Sequence, residues 1–156
     1  MQTADLDLPT LVSLTGPAVE RLLLQRLDDA GHYGVKRSHG YVIQRLIDQE
    51  PTIGELAESL DMTQQGASKQ VVDLERLGYA ERVADPLDQR IRRVRLTVAG
   101  RAVLSAGRQA RLEIEAEVTE RVGAHQVEAA RAALVALLSL TDIEPRIADR
   151  SVPLTP

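Results

Sequence analysis

The sequence contains no cysteine, no tryptophan and no phenylalanine, and three tyrosines are its only large aromatic side chains. The lack of cysteine excludes disulfides, thiolate nucleophiles, cysteine-ligated metals and thiol-based redox sensing. With so few aromatics, the core must be built from Leu, Val, Ile and Ala, which favours packed helices over a β-sandwich. The composition of the 156 residues, 44% hydrophobic and 27% charged, predicts a single, mainly α-helical domain over 1–156.

Long hydrophobic runs are missing as well. No uninterrupted apolar stretch reaches the roughly 18 residues of a membrane span, and the amino terminus carries acids in place of a basic leader. We therefore expect a cytoplasmic protein with no membrane partner.

Positive charge is scarce overall but locally concentrated. The net charge is −4, yet residues 61–101 hold eight basic and six acidic residues. A mildly basic segment in an acidic chain is either a surface for a polyanion or an ordinary solvated face, and charge alone favours the second interpretation.

The first half of the chain has helical periodicity. Apolar residues at 19, 22, 23 and 27 predict a first helix over 17–30, with Gly16-Pro17 bending any extension over 9–14. Ser38 is the predicted cap of a second helix that carries Val42, Leu46 and Ile47 on one side. After Pro51-Thr52, "IGELAESL" predicts a short third helix.

The second half adds a hairpin and two long helices. Thr63 is the predicted N-cap of a fourth helix that stops at Gly78. "YAERVA" and "RIRRVRLT" predict an antiparallel hairpin around the turn "DPLDQ". Thr97 should cap a long helix that Gly123-Ala124 separates from a last helix over about 125–140. The end of the chain, 143–156, is expected to form a loose tail.

Short helix, connector, second helix and hairpin, in this order, predict a winged helix-turn-helix over 35–100, in which the second helix reads the major groove of DNA. At 100° per residue, Ala67, Val71, Leu74 and Gly78 share the inward face of that reading helix. The opposite face carries amides, a hydroxyl, cations and one exposed Val, groups that can bond base edges or touch a thymine methyl. The predicted DNA-binding residues at this helix are Thr63, Gln64, Gln65, Ser68, Lys69, Val72 and Arg76.

The hairpin supplies cations beside the reading helix. Alternation places Val94 inward and directs Arg93 and Arg95 outward, while Arg90 ends the turn. Arginines in these positions can enter a minor groove or hold the flanking phosphates. Arg92 lies on the same side as Val94 and is interpreted as a structural ion-pair partner.

The chain resembles the MarR family of bacterial transcription regulators over roughly 15–140. The resemblance is most specific in Asp88-x-Arg90 followed by Leu96-Thr97-x-x-Gly100, and "LERLGYAERVADPLDQR" is similar to the family's passage from reading helix into wing. It implies a homodimer whose helices over 9–30 and 101–140 interlock, with two winged modules that read a palindromic operator in double-stranded DNA. It also implies that Asp88 orients wing arginines by ion pairing and that Arg90 reaches into the minor groove.

Regulators of this family often respond to a small anionic or aromatic effector held between the dimer helices and the winged module. Residues near the expected crevice are candidate contacts, although each is more often a surface or core-edge residue: His32, Tyr33, Arg37, His39 and Tyr41. The lack of Trp argues against the urate-responsive members, and the lack of Cys excludes the peroxide-sensing ones. We predict no cofactor and no metal, because the histidines lack close ligand spacing.

Two other functions compete with this interpretation. An enzyme is disfavoured because a Gly-rich phosphate loop, HExxH and G-x-S-x-G are all missing from the sequence. A winged helix that binds protein instead of DNA is disfavoured by Lys69 and the arginines of the wing, since a protein-binding face should offer larger apolar anchors. The central hypothesis is a dimeric, sequence-specific DNA-binding repressor that an effector releases.

Overall fold

The computed structural model describes residues 5–141, and the expected tail at 143–156 lies outside this range. The described chain is mainly helical with one antiparallel hairpin, as the sequence predicts. Its elements, in chain order, are α1 (Leu8–Asp29), α2 (Arg37–Arg45), α3 (Ile53–Ser59), α4 (Gln64–Arg76), β1 (Ala80–Ala84), β2 (Arg92–Leu96), α5 (Val98–Val122) and α6 (Ala124–Leu138).

Threonine caps begin three of these helices. The hydroxyl of Thr63 accepts from the N–H of Gly66 at 3.0 Å, and that of Thr97 accepts from the N–H of Gly100 at 3.0 Å. Thr52 caps α3 in the same way through the N–H of Glu55, at 3.2 Å. Each such cap satisfies an N–H that has no partner inside the helix and contributes about 1 kcal/mol. The predicted starts of α4 and α5 are confirmed.

The first helix differs from its prediction. It runs as one element from Leu8 to Asp29 with Pro17 inside it, so 9–14 and 17–30 are not separate segments. Proline removes one N–H from the helical ladder, but the surrounding turns supply enough bonds to keep the helix continuous. Gly31, at φ 85°, ends it in the left-handed conformation that glycine adopts freely.

The cap of α2 was wrongly assigned to Ser38. The helix begins at Arg37 after Lys36, and the Lys36 N–H donates to Nδ1 of His39 at 3.2 Å. The Ser38 hydroxyl donates to the side-chain oxygen of Gln70 on α4 at 2.7 Å. A tertiary contact to α4 therefore takes the group that the sequence assigned to a local one.

The core lies between α2, α3, α4 and the hairpin, and Leu27 of α1 and Val103 of α5 join it. Its most completely buried apolar side chains are Leu56, Leu60, Val71, Leu74 and Leu96. Removing one Leu or Val of this kind from water contributes about 1.5–3 kcal/mol, so this cluster dominates the stability of the winged module.

The hairpin is fixed to both of its neighbours. Strands β1 and β2 pair in the register Ala80 with Leu96 through Ala84 with Arg92. A Cβ at Gly100 would lie 1.9 Å from the Tyr79 carbonyl oxygen, so the start of α5 approaches the hairpin at a distance that only glycine permits. On its other edge β2 pairs with the residues before α3, because the Val94 N–H donates to the Pro51 carbonyl at 2.8 Å.

The flanking helices α1 and α5 contact each other, but the described residues leave apolar surface on α1, α5 and α6 uncovered. Arg26 of α1 bonds Glu117 of α5 at 2.6 Å. No residue of α6 is buried, although Leu and Val recur along it. The large apolar residues exposed on α1, α5 and α6 are Leu8, Leu14, Val19, Val98, Leu112, Val118, Val122, Leu134, Val135 and Leu138.

Candidate nucleic-acid interface

Helix α4 has one face packed against the core and one face that the rest of the described chain leaves uncovered. Ala67, Val71 and Leu74 are fully buried. Gly78, which the sequence placed on the same face, instead lies beyond the helix end and is exposed. Of the predicted outward residues, Gln65, Lys69, Val72 and Arg76 are exposed and Ser68 is half-buried; the other two predicted DNA contacts, Thr63 and Gln64, are exposed as well.

The polar groups on this outward face are available for a ligand. Within residues 5–141, no hydrogen bond or ion pair engages the side chains of Gln65, Ser68 or Lys69. Val72 stands among them with half of its surface, 50%, exposed. Amide, hydroxyl, ammonium and methyl groups presented together are those that read base edges in the major groove.

Asp73 connects this face to α2. Its Oδ2 accepts from Nζ of Lys36 at 2.8 Å, and its Oδ1 lies 3.4 Å from Nη2 of Arg76. The bond from Lys36 is the main reason that the pKa of Asp73 lies below its ordinary value. Arg76 is thus partly neutralised, but its side chain remains 73% exposed and can still reach a phosphate.

Arg90 is the predicted wing residue whose geometry best fits a contact with DNA. It is exposed, and its guanidinium bonds no group within the described part of the chain. Its backbone N–H donates to Oδ1 of Asp88 at 2.9 Å. An unpaired cation at the end of a hairpin turn can enter a groove without first breaking an ion pair.

The structure corrects the ion-pairing role assigned to Asp88. Its carboxylate lies within 4 Å of no basic side chain among residues 5–141. It holds the backbone of Arg90 instead of its guanidinium, because a carboxylate two residues earlier in a turn is well placed to accept an N–H.

Three of the wing arginines also depart from their predictions. Arg93 is not free for DNA, because its guanidinium bonds Asp85 and the Glu50 carbonyl, the latter at 3.0 Å. Arg95 pairs with Glu81 on β1 at 2.8 Å. Arg92, assigned to a structural ion pair, is exposed and forms none with the described residues. Alternation along a strand predicts on which side a side chain lies, but it does not predict which acidic side chains other elements place on that side.

Asp85 is a functional candidate that the sequence analysis missed. It is 6% exposed, and Oδ1 accepts from the N–H groups of Leu87 at 2.7 Å and Asp88 at 3.2 Å. Its Oδ2 accepts from Nε of Arg93, and this bond is the leading cause of the lowered pKa of Asp85. An Asp followed by Pro at a turn was the available signal.

The predicted effector residues divide between a cavity and the rest of the molecule. A cavity of about 460 Å³ lies between α1, α2 and α5, and both Arg37 and Tyr41 line it. His32, Tyr33 and His39 do not. His32 meets the ring of Tyr79 edge to face at 6.5 Å, and Tyr33 is 68% exposed.

The walls of this cavity are mainly apolar. The sequence analysis missed Lys36, Gln44 and Arg111, which line it beside Arg37. Arg37 lies 3.3 Å from Glu20 and donates to the Tyr41 hydroxyl at 3.3 Å. Residues from three helices meet here, so spacing along the chain gave no direct signal of their proximity.

His39 is a buried core residue and not a contact of the cavity. It is 0% exposed, and its Nδ1 accepts the Lys36 N–H. Nε2 has no hydrogen-bond partner within the described residues and lies 3.9 Å from Oδ2 of Asp73. Burial, followed by the charge of Lys36, lowers the pKa of His39, so the ring is neutral at pH 7.

Residues 5–141 contain no group of three or more His, Cys, Asp or Glu side chains able to hold a metal ion. Within the same range, every helix is too short or too polar to cross a bilayer.

A comparison with family models now adds to this geometry. A model described as the MarR family matches residues 33–91, the segment from α2 to the end of the wing turn. Over this segment the chain is similar to the MarR family. The match includes the whole outward face of α4 and Arg90. A comparison with curated proteins finds no match.

Solved structures of MepR, of MarR and of a MarR family transcription regulator share the fold. The MepR–DNA complex of S. aureus superposes with a TM-score of 0.68 at 21% identity, covering 84% of this chain and 97% of the other. Wild-type MarR of E. coli gives 0.62 at 22% identity, covering 85% and 98%. Another MarR family transcription regulator gives 0.62 at 25% identity, covering 85% and 84%. The winged helix and its flanking helices thus form the MarR fold.

Proposed function

We propose that the protein is a homodimeric, sequence-specific DNA-binding transcriptional regulator. The observation that carries this proposal is the uncovered polar face of α4 beside the unpaired Arg90. The described residues leave this face open to a ligand, as contact with DNA requires. The S. aureus MepR structure, which has the same fold, is a complex with DNA and supports the same use of the winged module.

The proposed contacts divide into reading and anchoring groups. Gln64, Gln65, Ser68 and Val72 face base edges in the major groove, while Lys69 and the capping Thr63 lie near phosphates. Arg76 adds a cation near the end of α4. Arg90 enters the minor groove or holds its flank. Arg93 and Arg95 are left out of the contact set because acids inside the protein already pair with them.

The homodimer is proposed from the uncovered apolar surface of the flanking helices. Side chains such as Leu134, Val135 and Leu138 are too numerous and too apolar for a surface that stays in water. A second copy covering them would bring two α4 helices to one face of DNA, about 34–36 Å apart. Such an assembly reads a palindromic operator, and occupancy of that operator represses transcription.

The cavity between α1, α2 and α5 is the proposed effector site. It joins the helices of the proposed dimer to Lys36, which is bonded to Asp73 on α4. A small anionic or aromatic molecule fits apolar walls that carry a few cations. Its binding would change the separation of the two reading helices and release the DNA.

Unbiased selection of bound DNA by the purified full chain tests this function. We expect an enriched sequence with dyad symmetry and half-sites about one DNA turn apart. Enrichment without a dyad would contradict the palindromic dimer, and lack of enrichment would contradict sequence-specific binding. If the chain instead captured a protein through α4 and bound no DNA, the competing function would replace this one.

A further inference from the structure

The base of the wing is tied to the start of α3 by an ion-pair network that includes no proposed DNA contact. Arg93 is at the centre of this network. On the wing side its guanidinium pairs with Asp85. On the α3 side its Nη1 lies 3.5 Å from Glu55 and donates to the Glu50 carbonyl at 3.0 Å. Glu55 also accepts from the Thr52 N–H at 2.7 Å, which fixes the acid to the first turn of α3. The lowered pKa of Glu55 follows first from that bond, so the acid is ionised at pH 7.

Backbone pairing aligns the same two regions. Thr52 and Arg93 form an antiparallel bridge, and the Val94 N–H donates to the Pro51 carbonyl. The strand β2 is therefore held on both edges, by β1 and by the segment before α3. Since α3 packs directly on α4, a fixed hairpin base has a fixed relation to the reading helix.

Asp85 also fixes the backbone of the wing turn by hydrogen bonds. Its Oδ1 accepts from Leu87 and Asp88, and its own N–H donates to the Ile91 carbonyl at 3.0 Å. Asp88 in turn accepts from the Arg90 N–H. A continuous series of bonds thus runs from α3 through Arg93, Asp85 and Asp88 to the backbone of Arg90.

We propose that Asp85 and Arg93 are positioning residues that hold the wing turn so that Arg90 meets DNA in register with α4. This inference rests on the proposed DNA-binding function. Neither residue needs to touch DNA: Asp85 is buried and negative, and Arg93 is neutralised by it. Their effect on affinity is transmitted through the place and order of Arg90.

The sign of one substitution distinguishes positioning from charge. Asp85→Asn keeps the size of the side chain and its Oδ1 acceptor but removes a negative charge near DNA. Coulomb attraction alone would then tighten binding and steepen its salt dependence. Positioning predicts the opposite: binding about tenfold weaker, and a salt slope shallower by about 0.9 for each phosphate that Arg90 no longer neutralises.

The test measures binding of the full chain to its selected DNA at several salt concentrations, for wild type, Asp85→Asn, Arg90→Ala and the double variant. We expect the double variant to bind like Arg90→Ala alone, because Asp85 acts through Arg90. Arg95→Gln is the matched control: it breaks a hairpin ion pair that does not reach α3, and its effect should add to that of Arg90→Ala.

Two further measurements keep the outcome decisive. Hydrogen exchange at the amides of Leu87 and Asp88 should accelerate in Asp85→Asn without DNA present, since the weakened turn opens more often. Arg93→Lys, which keeps the charge but loses the forked geometry, replaces Asp85→Asn if that variant does not fold. If the wild type binds DNA and these variants bind it equally well or more tightly, the positioning role is overturned, but the proposed function is not. No DNA binding by wild type overturns the proposed function and this inference with it.

Discussion

The winged module and the flanking helices use similar apolar residues in opposite ways. In the module, Leu56, Leu74 and Leu96 are buried within one chain. In α6, the equally apolar Leu134 and Leu138 remain exposed, at 43% and 37%. The module is built around the buried core, to which Leu27 of α1 and Val103 of α5 also contribute, whereas α6 leaves apolar side chains exposed that the proposed second copy would cover. We therefore expect the core of the winged module to determine the stability of the monomer and the exposed apolar side chains of the flanking helices to determine the proposed assembly.

Truncation of the module core should produce the largest effect. Leu74→Ala removes a fully buried side chain from the inward face of α4 and leaves a cavity in the core. We expect the free energy of unfolding to fall by about 2–5 kcal/mol. Denaturant unfolding of the full chain measures it. A decrease of less than about 1 kcal/mol would mean that this core is not the main source of stability.

Charge on the flanking surface should separate the protomers without unfolding the module. Leu134→Glu places a carboxylate in the proposed dimer interface and should cost about 3 kcal/mol or more of association free energy. Sedimentation should then show monomers at concentrations where wild type is dimeric. Leu87→Glu is the matched control, because Leu87 is 97% exposed at the wing, away from this surface. A dimer that tolerated Leu134→Glu would place the interface elsewhere.

Removal of a reading group should affect DNA sequence preference and leave both regions intact. Gln65→Ala should cost about 1–3 kcal/mol per half-site and relax the preference at one base pair, if the amide makes a bidentate contact. Binding to a panel of single-base operator variants measures this. Gln49→Ala, an exposed glutamine outside the interface, should leave binding unchanged. Equal binding by wild type and Gln65→Ala would move the reading face away from Gln65.

Local patterns predicted the parts of this structure that depend on neighbouring residues in sequence. Helical periodicity gave the buried and exposed faces of α4, and Thr63 and Thr97 gave two helix starts, because a cap acts within one turn. Contacts between distant segments were not predicted. Arg93 lies on the expected side of β2, but its partner Glu55 lies on α3, and only the fold brings them together.

The candidate site divides along the same line. The contacts proposed on α4 depend on which of its side chains are exposed, and helical periodicity is enough to predict that from the sequence. The cavity proposed for an effector is lined by three helices: of the residues predicted from the sequence, Arg37 and Tyr41 line it, whereas His39 is buried in the core. A histidine close in sequence to residues that line a cavity can still point into the core, and its position in the sequence does not reveal in which direction its side chain points.

Acid should weaken the module slightly through His39, the smallest effect expected here. Its folded pKa lies below the ordinary value near 6.5, so the unfolded chain takes up a proton before the folded one does. The contribution of His39 is therefore complete above about pH 6.5 and is lost as pH falls toward the folded pKa, with a slope of at most about 1.4 kcal/mol per pH unit. Comparing denaturant unfolding at pH 7.5 and 5.5 should show this loss in wild type and in His125→Gln, whose histidine is exposed on α6. His39→Gln should remove it. An equal pH dependence in all three proteins would assign the loss to other groups.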